Sequence, residues 1–363
     1  MSELSSGAQD ESSAQMAKRA LGQPETSDSF HPGPLVSICV PAYNAERWIA
    51  EAIESALAQT WQSFELVIAD NASTDSTLEI ARSYSDPRIQ VVSSPENTGL
   101  VRNHNHVIRL STGTYIKFLH ADDRLAPDCV EEMVGLARED ERIGLVFAPR
   151  EVLTEGAEGL EWARHYSRLH ECFSSLLRIN EGRVLFMQLV DAGIQENWVG
   201  EPSAVLLTRH ALERSGLFNA HLHQIPDLEL WMRIMLTHRV GFVDRPLSVY
   251  RHHRESETFA NARVSRDWLD GLWLLEGLLG DEAIGAAEKT VERLRRKALR
   301  RALRSQLGRL ARRQLHGGLS AYFKYRALAV AGLEARNERL EDQAPGAEGA
   351  IPEGLPSVYR APS

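Results

Sequence analysis

Tyr115-Ile-Lys-Phe-Leu-His-Ala-Asp-Asp123 is the stretch of sequence that decides the fold. It begins as an apolar β-run and stops at two adjacent acids, and Pro127 follows where a new helix would start. Two carboxylates at the carboxyl end of a buried strand repel each other unless a positive charge joins them. A hard divalent cation, Mn²⁺ or Mg²⁺, completed by the phosphates of a ligand, would supply that charge. The alternative is a solvated acidic turn that caps the next helix, which is the commoner arrangement for an isolated Asp-Asp pair.

The strand that ends at these acids belongs to a regular alternation of strands and helices. Apolar runs, helical periodicity and turn residues predict both kinds of element between residues 35 and 243. The predicted strands are 35–40, 64–69, 89–92, 115–119, 143–148, 204–207 and 240–243. The predicted helices are 48–57, 76–84, 100–110, 127–137, 209–215 and 227–236. This pattern favours an α/β fold with a mixed, mostly parallel central sheet between helices, while residues 150–200 stay unassigned.

The chain divides into five segments by composition and periodicity. Both ends are rich in small, polar and charged residues without apolar periodicity, which is typical of disorder. The predicted segments are a disordered leader (1–34), the two halves of one α/β domain (35–150 and 151–265), a helical, basic C-terminal extension (266–341) and a disordered tail (342–363).

The composition is that of a soluble globular protein with an uneven charge distribution. The 363 residues are 43% hydrophobic and 25% charged, with a net charge of −9. Segment 289–326 nevertheless contains thirteen Lys or Arg and one acid. The balance therefore predicts no nucleic-acid partner, only one basic element near the C-terminus.

The cysteines and the hydropathy pattern bear on the compartment. Cys39, Cys129 and Cys172 are scattered and form no CxxC pair, which favours a reducing compartment with free thiols. No apolar run approaches the roughly 18 residues that a transmembrane helix needs. The N-terminus lacks a cationic start followed by an apolar stretch, so no secretory signal is expected. These features predict a cytoplasmic protein.

Polar residues follow each of the first four predicted strands, where an open α/β sheet binds its ligands. The first strand is followed by Pro41-Ala-Tyr43-Asn44, and the second by Asp70, which could accept a hydrogen bond from the N–H of a base or cap a helix. The third is followed by the turn that contains Asn97, and the fourth by Asp122 and Asp123. No GxGxxG or Walker loop is present, which argues against a dehydrogenase-type dinucleotide site.

Four motifs together resemble family 2 of the glycosyltransferases. They are Val36-Ser-Ile-Cys-Val-Pro-Ala-Tyr-Asn44, Val67-Ile-Ala-Asp-Asn-Ala-Ser-Thr-Asp75, Asn97-Thr-Gly99 and Gly113-Thr-Tyr-Ile-Lys-Phe-Leu-His-Ala-Asp-Asp123. The resemblance covers roughly residues 35–260. It implies the GT-A fold and a nucleotide-sugar donor, with residues 35–150 as the nucleotide-sugar-binding half and 151–265 as the acceptor-binding half.

The resemblance also implies roles for individual residues in the first half. Nucleotide-binding residues would be Pro41, Tyr43, Asn44, Asp70, Asn97 and Asp122, with Tyr43 packing on the base and Asp70 accepting from its N–H. Asp122 would contact the ribose, or the cation through water, and Asp123 would be the direct metal ligand. The sequence departs from the family where His120 replaces Asp and His104 replaces Arg, which leaves the diphosphate contacts open; Arg102 could substitute.

Motifs of the second half resemble the acceptor side of the family. Pro226-Asp-Leu-Glu-Leu-Trp-Met-Arg233 implies that Asp227 is the general base, although Asp227 could also cap the helix that follows it. Tyr250-Arg-His-His253 implies a contact of His253 with the metal or the diphosphate, unless it is a surface residue like its neighbour. Glu201 and Trp198 are candidates for the acceptor pocket, or ordinary turn and packing residues.

The resemblance implies an inverting enzyme that moves a sugar from a nucleotide diphosphate, UDP in the first instance, to a hydroxyl acceptor. The acceptor would be a saccharide or a lipid-linked molecule in glycan or surface polysaccharide synthesis. The alternative is a catalytically silent nucleotide-sugar-binding module whose helical extension is its interaction surface. A sugar nucleotidyltransferase would need a Gly-rich, basic phosphate loop after the first strand, and the sequence has none.

The basic extension has an apolar stripe that includes Leu294, Ala298 and Leu303 among many arginines. Such a helix could dock on its own domain, on a second copy of the chain or on a partner. It could also lie on anionic lipid, as a peripheral contact at the inner face of the membrane. Docking is the commoner arrangement for such a stripe.

Overall fold

The structure is a computed structural model that describes residues 35–154, 159–253 and 267–311. The predicted leader (1–34) and tail (342–363) lie outside the described residues, as does the part of the extension beyond residue 311.

Eleven strands form two sheets in the described part of the chain. The strands are β1 Val36–Ala42, β2 Phe64–Asp70, β3 Ile89–Ser93, β4 Tyr115–Phe118, β5 Arg124–Leu125, β6 Ile143–Phe147, β7 Arg150–Thr154, β8 Ile179–Glu181, β9 Val205–Thr208, β10 Arg239–Phe242 and β11 Ser248–His252. The large sheet has the order β3-β2-β1-β4-β9-β6-β10-β8, and the small sheet has the order β5-β11-β7.

The helices are mostly short and connect successive strands. They are α1 Ile49–Leu57, α2 Thr77–Arg82, α3 Leu100–Leu110, α4 Cys129–Ala137, α5 Leu160–Tyr166, α6 Gly182–Asp191, α7 Arg209–Ser215, α8 Pro226–Thr237, α9 Asp267–Leu279 and α10 Glu288–Ala311. No helix of the described segments is long and apolar enough to cross a membrane.

The large sheet is mixed and mostly parallel, as predicted. Strands β3, β2, β1 and β4 are parallel neighbours, and β6 is parallel to β10. Strand β9 runs antiparallel between β4 and β6, and β8 is an antiparallel edge. Because side chains of a strand point to alternate faces, Ile38 and Val40 enter one apolar core and Cys39 enters the other. Helices therefore cover both faces.

Pro41 lies inside β1, whereas the sequence pattern predicts that the strand ends at residue 40. Pairing of β1 with β4 stops at Cys39 opposite Phe118, whereas pairing with β2 continues to Ala42 opposite Asp70. Beyond Cys39 the strand has a neighbour on one side only, so a residue without an N–H is tolerated there.

The small sheet was not foreseen. Strand β11 pairs antiparallel with β5 and parallel with β7. Strand β5 has only two residues, and β7 and β11 mix charged and apolar residues, so no apolar run marks them in the sequence. The sheet brings residues 251–253 next to Asp122 and Asp123, which come just before β5. It is therefore the part of the fold that completes the acidic turn.

The C-terminal helices dock onto the α/β domain over the described residues. Leu274, Leu278 and Val291 are buried in the core that contains α3, α6 and α8, and Leu294 packs against it. The long predicted helix is interrupted by a 3₁₀ segment, Glu282–Ala287, in which Gly285 has a φ of 51°. The docking hypothesis is thus supported up to residue 300, and residues 312–341 lie outside the described part.

Candidate active site at the carboxyl edge of the sheet

The predicted nucleotide-binding residues lie at one edge of the large sheet. Ala42 is paired with Asp70 at the ends of β1 and β2, and Leu119 donates its N–H to the Cys39 carbonyl as the chain leaves β4. Because β1, β2 and β4 are parallel neighbours, their carboxyl ends open on the same edge. The loops that carry Tyr43, Asp70 and Asp122 therefore start side by side.

Asp70 has one carboxylate oxygen available for a ligand. The side chain is 1% exposed, and its Oδ2 accepts from Ser93 Oγ at 2.9 Å and from the Ser73 N–H at 3.3 Å. Its Oδ1 is buried and has no hydrogen-bond partner within the described residues. Buried polar atoms are nearly always paired, so this oxygen indicates a donor that comes from a ligand or from water. Tyr43, on the adjacent loop, is 47% exposed and free to cover a bound base.

The two predicted asparagines hold the loops of this edge together. Asn44 is in the left-handed region with a φ of 46°, and its Oδ1 accepts from the Thr74 N–H at 2.9 Å. Asn97 Oδ1 accepts from Asn71 Nδ2 at 2.9 Å and from the Gly99 N–H at 2.8 Å. Both side chains thus hold together the loops at this edge of the sheet, and their direct contact with a nucleotide stays a prediction. Pro41 is buried at the end of β1.

The acidic turn contains one buried carboxylate and one half-buried carboxylate. Asp123 is 1% exposed, and its Oδ1 accepts from the Arg251 N–H at 2.9 Å. Its Oδ2 is buried and makes no hydrogen bond of good geometry in the described part of the chain. Burial raises the pKa of Asp123 well above its usual range, and the charges of Asp122 and Glu201 add to this, while the Ser203 hydroxyl and the Arg251 N–H oppose it. Such a site is completed by a positive charge.

The donor atoms at this turn fit a divalent cation. One atom each from His120, Asp122 and Asp123 lie within 4.8 Å of one another. Carboxylate oxygens and an imidazole nitrogen are ligands that Mn²⁺ accepts, and the buried, unsatisfied oxygen of Asp123 points to a missing partner. The sequence marks His120 only as a departure from the family pattern.

Strand β11 holds the acidic turn in place. Arg251 Nε donates to the Asp122 carbonyl at 3.0 Å, and its guanidinium pairs with Glu51 of α1 at 2.8 Å. His253 Nε2 lies 3.0 Å from Asp122 Oδ2, and the His253 ring lies against Trp48 with 4.0 Å between centroids. His253 thus contacts Asp122, and the contact with the metal or the diphosphate that the motif implies stays a prediction.

Asp227 lies in the first turn of α8, directly after Pro226. Its Oδ1 accepts from the Leu228 N–H at 2.8 Å and its Oδ2 accepts from Asn197 Nδ2 at 2.8 Å. Burial raises its pKa to about 6; the Leu228 N–H opposes this shift and the charge of Glu201 adds to it. Asp227 therefore accepts from an N–H of the first turn, and a pKa of about 6 would leave it mostly ionised at neutral pH, as a general base requires.

Glu201 and Arg150 form a buried ion pair beside the acids. Arg150 Nε lies 3.0 Å from Glu201 Oε2, and the guanidinium stacks over the Tyr166 ring at 4.5 Å from its centroid. The charge of Glu201 raises the pKa of both Asp123 and Asp227, so all three carboxyl groups belong to one electrostatic site. Arg150 was missed because it lies at the start of the unassigned region.

The loop that contains Trp198 and Glu201 is hydrogen-bonded to Asp227 through Asn197. Asn197 Nδ2 donates to the Gly200 carbonyl at 2.8 Å as well as to Asp227. Trp198 itself is half-buried and meets the Phe173 ring edge-on, with 5.2 Å between centroids. Packing accounts for this contact, and the acceptor role of Trp198 and Glu201 stays a prediction.

Comparisons with known proteins show which family the chain resembles. A model of the family described as glycosyl transferase family 2 matches residues 37–188. An uncharacterized protein of Mycobacterium tuberculosis is 36% identical over 248 residues, which are 68% of this chain and 76% of that protein. Chondroitin synthase of Escherichia coli is 38% identical over 135 residues, but these are 36% of this chain and 20% of the synthase.

The fold is shared with a solved structure. Staphylococcus aureus TarS 1–349 in complex with UDP-GlcNAc superposes with a TM-score of 0.58 over 84% of this chain and 88% of that one. The two sequences are 18% identical, so the likeness shows the fold alone.

Proposed function

Because the chain belongs to glycosyl transferase family 2, we propose that it is a cation-assisted, inverting enzyme that transfers a sugar from a nucleoside diphosphate to a hydroxyl acceptor. The observation that carries the proposal is a pair of carboxyls: that of Asp123, buried at the edge of the sheet, and that of Asp227, half-buried at the start of α8. Asp123 keeps an unsatisfied oxygen, and Asp227 has a pKa of about 6. One carboxyl is suited to a cation and the other to a proton.

The donor we propose is a UDP-sugar. Asp70 Oδ1 is a buried acceptor without a partner in the described residues, which suits the imino N–H of a uracil. Tyr43 would cover the base, and Asp122 would face the ribose or a water on the cation. The TarS neighbour was solved with UDP-GlcNAc, which makes UDP the first nucleotide to test.

We propose that Asp123, with Asp122, holds Mn²⁺ or Mg²⁺ beside the diphosphate. When bound, the cation neutralises the negative charge that grows on the leaving diphosphate. At an effective dielectric constant of about 20 and a separation of 4 Å, each pair of unit charges contributes about 4 kcal/mol. The buried Asp123 oxygen is the feature of this chain that such an ion would satisfy.

Asp227 is the proposed general base. The acceptor oxygen bonds to C1 of the sugar as the bond from C1 to the β-phosphate oxygen breaks, and the hydroxyl proton passes to the Asp227 carboxylate. Attack from the face opposite the leaving group inverts C1 in a single step. A positioned base contributes about 10²–10⁴-fold to such a transfer. Glu201 and Trp198, on the loop tied to Asp227 by Asn197, would line the acceptor side.

The proposed acceptor is a saccharide or a lipid-linked molecule in glycan or surface polysaccharide synthesis. The similarity to chondroitin synthase over 36% of the chain supports a saccharide. The proposed compartment is the cytoplasm, since Cys39, Cys129 and Cys172 are all free thiols.

The test is transfer and hydrolysis of labelled UDP-sugars by the wild type and by Asp227→Asn. We expect the variant to lose activity about 10²–10⁴-fold while calorimetry shows unchanged UDP binding. Asp191→Asn, an exposed acid at the end of α6, is the matched control and should be as active as the wild type. If Asp227→Asn keeps the turnover of the wild type, Asp227 is not the general base. Absence of turnover by the wild type with every donor would favour the silent nucleotide-sugar-binding module.

A further inference from the structure

Two histidines form a direct hydrogen bond next to the acid pair. His104 Nε2 lies 2.9 Å from His120 Nε2, and His104 Nδ1 lies 2.8 Å from the Leu100 carbonyl oxygen. His104 is 4% exposed and lies between the rings of Phe118 and Phe218, with centroid distances of 5.3 Å to each. Hydrogen bonds therefore join Leu100 to His104 and His104 to His120, from helix α3 to the acidic turn.

The hydrogen-bond partners of His104 and His120 determine which ring nitrogens carry the protons. A carbonyl oxygen only accepts, so His104 Nδ1 carries the hydrogen in its bond to Leu100. A neutral His104 then has a lone pair on Nε2, and His120 Nε2 must donate to it. His120 Nδ1 is consequently left with its lone pair, and this atom lies 3.9 Å from Asp123 Oδ2.

We propose that His120 Nδ1 is a direct ligand of the cation and that His104 positions it. The inference rests on the proposed function, because it needs the nucleotide-dependent cation at Asp123. Ligating histidines almost always donate their other ring N–H to a fixed acceptor, and His104 is such an acceptor for His120. The lone pair of His120 and the unsatisfied Asp123 oxygen, which is 1% exposed as a residue, face the same space.

An imidazole ligand in place of a third oxygen changes the choice of metal. Carboxylate and water sites suit both Mg²⁺ and Mn²⁺, whereas an imidazole nitrogen is a ligand for transition metals and so disfavours Mg²⁺ relative to Mn²⁺. We therefore expect Mn²⁺ to bind more tightly than Mg²⁺ in the presence of UDP. His120→Asp should reduce that preference, because it replaces the nitrogen with an oxygen.

The test is pulsed EPR of the full-length protein with Mn²⁺ and UDP. We expect a directly coordinated ¹⁴N coupling that becomes a ¹⁵N coupling when the histidines are labelled with ¹⁵N, which separates imidazole from the uracil ring. The coupling should disappear in His120→Asp and persist in His253→Gln. It should also persist in His210→Gln, the matched control, which changes an exposed histidine of α7. Titrations of Mn²⁺ should show a Kd about 10–100-fold weaker in His104→Phe.

The outcomes separate this inference from the proposed function. Nucleotide-dependent Mn²⁺ binding without a histidine nitrogen coupling in the wild type would overturn the role of His120 and leave the cation in place. A coupling that survives in His120→Asp and vanishes in His253→Gln would assign the ligand to His253 instead. Failure of the wild type to bind Mn²⁺ with UDP, GDP or dTDP would overturn the cation and His120 together. The wild-type spectrum alone can contradict the inference, so the test does not depend on the folding of any variant.

Discussion

The pKa of Asp227 makes a prediction for the pH dependence of transfer. Burial raises that pKa to about 6, and a general base acts only in its ionised form. As the pH falls through about 6, Asp227 takes up a proton and kcat/KM should fall tenfold per pH unit. Initial rates measured between about pH 5 and pH 8 at constant ionic strength would show this fall as the acidic limb of the pH–rate profile. A flat profile down to pH 5 would contradict the prediction.

The position of the limb should depend on Glu201. Its negative charge raises the pKa of Asp227, so Glu201→Gln removes a negative charge and should move the limb to lower pH. Glu196→Gln, which changes an exposed acid on the same loop, should leave the limb in place. If Glu201→Gln shifts the limb upwards or leaves it unmoved, the shared electrostatic site is wrong.

The unsatisfied oxygen of Asp70 predicts a loss of nucleotide affinity in Asp70→Ala. A hydrogen bond to a charged group contributes about 1.5–3 kcal/mol, so UDP should bind about 10–100-fold more weakly. Calorimetric titration of UDP would measure this. Glu79→Gln, on the exposed side of the adjacent helix α2, should bind like the wild type. Equal Kd values for Asp70→Ala and the wild type would place the base elsewhere.

At the scale of elements, helix α9 positions the start of α8. Asp270 of α9 is 1% exposed, and its Oδ2 accepts from the N–H groups of His223 and Gln224 at 2.7 Å and 2.5 Å. These two residues lie just before Pro226 and Asp227, so the C-terminal extension anchors the loop that leads to the proposed base.

Removal of this anchor should affect both stability and turnover. In Asp270→Ala two N–H groups of the loop lose their acceptor, and the free energy of unfolding should fall by about 1–3 kcal/mol. We also expect a lower kcat with little change in the Kd of UDP, because the donor loops are not touched. Urea unfolding and single-turnover assays would measure the two effects, with Glu282→Gln as an exposed control in the same extension. If Asp270→Ala unfolds with the same free energy as the wild type, Asp270 does not anchor this loop.

At the scale of the whole molecule, the C-terminal helices are part of the folded core. Leu272, Leu274 and Leu278 of α9 are each 1% exposed. Burial of such a side chain stabilises the fold by about 1.5–3 kcal/mol, and the three together approach the whole stability of a typical domain, about 5–15 kcal/mol.

A chain that ends at residue 266 should therefore not fold to a stable monomer. We expect it to aggregate or to lack a cooperative unfolding transition in circular dichroism and size-exclusion chromatography. The control is a chain that ends at residue 341, which lacks only the predicted disordered tail. Cooperative unfolding of the shorter chain at a similar temperature would show that the extension is an independent appendage.

The sequence predicted the elements of the large sheet and its helices well over residues 35–148 and 204–243, and it assigned neither residues 150–200 nor the small sheet. Strands β1 to β4 and helix α3 were predicted nearly to the residue, because each has its own periodicity and a turn at its end. Strands β5, β7, β8 and β11 were missed, since β5 and β8 have only two and three residues and β7 and β11 mix charged and apolar residues without a continuous apolar run. Motifs singled out Asp70, Asp122, Asp123 and Asp227, whose roles stay predictions, whereas no motif marked Arg150.

The sequence by itself determined the alternation of strands and helices, and with it the edge where the acids after β2 and β4 would meet. Those features depend on local periodicity and on the direction of parallel strands, which are properties of short segments. Only the tertiary structure decided which distant groups surround the acids. The Arg251 N–H that binds Asp123 comes from 128 residues away, and the Asn197 amide that binds Asp227 comes from 30 residues away. Contacts of this kind arise from the crossovers between strands and from burial, and no short stretch of sequence encodes them.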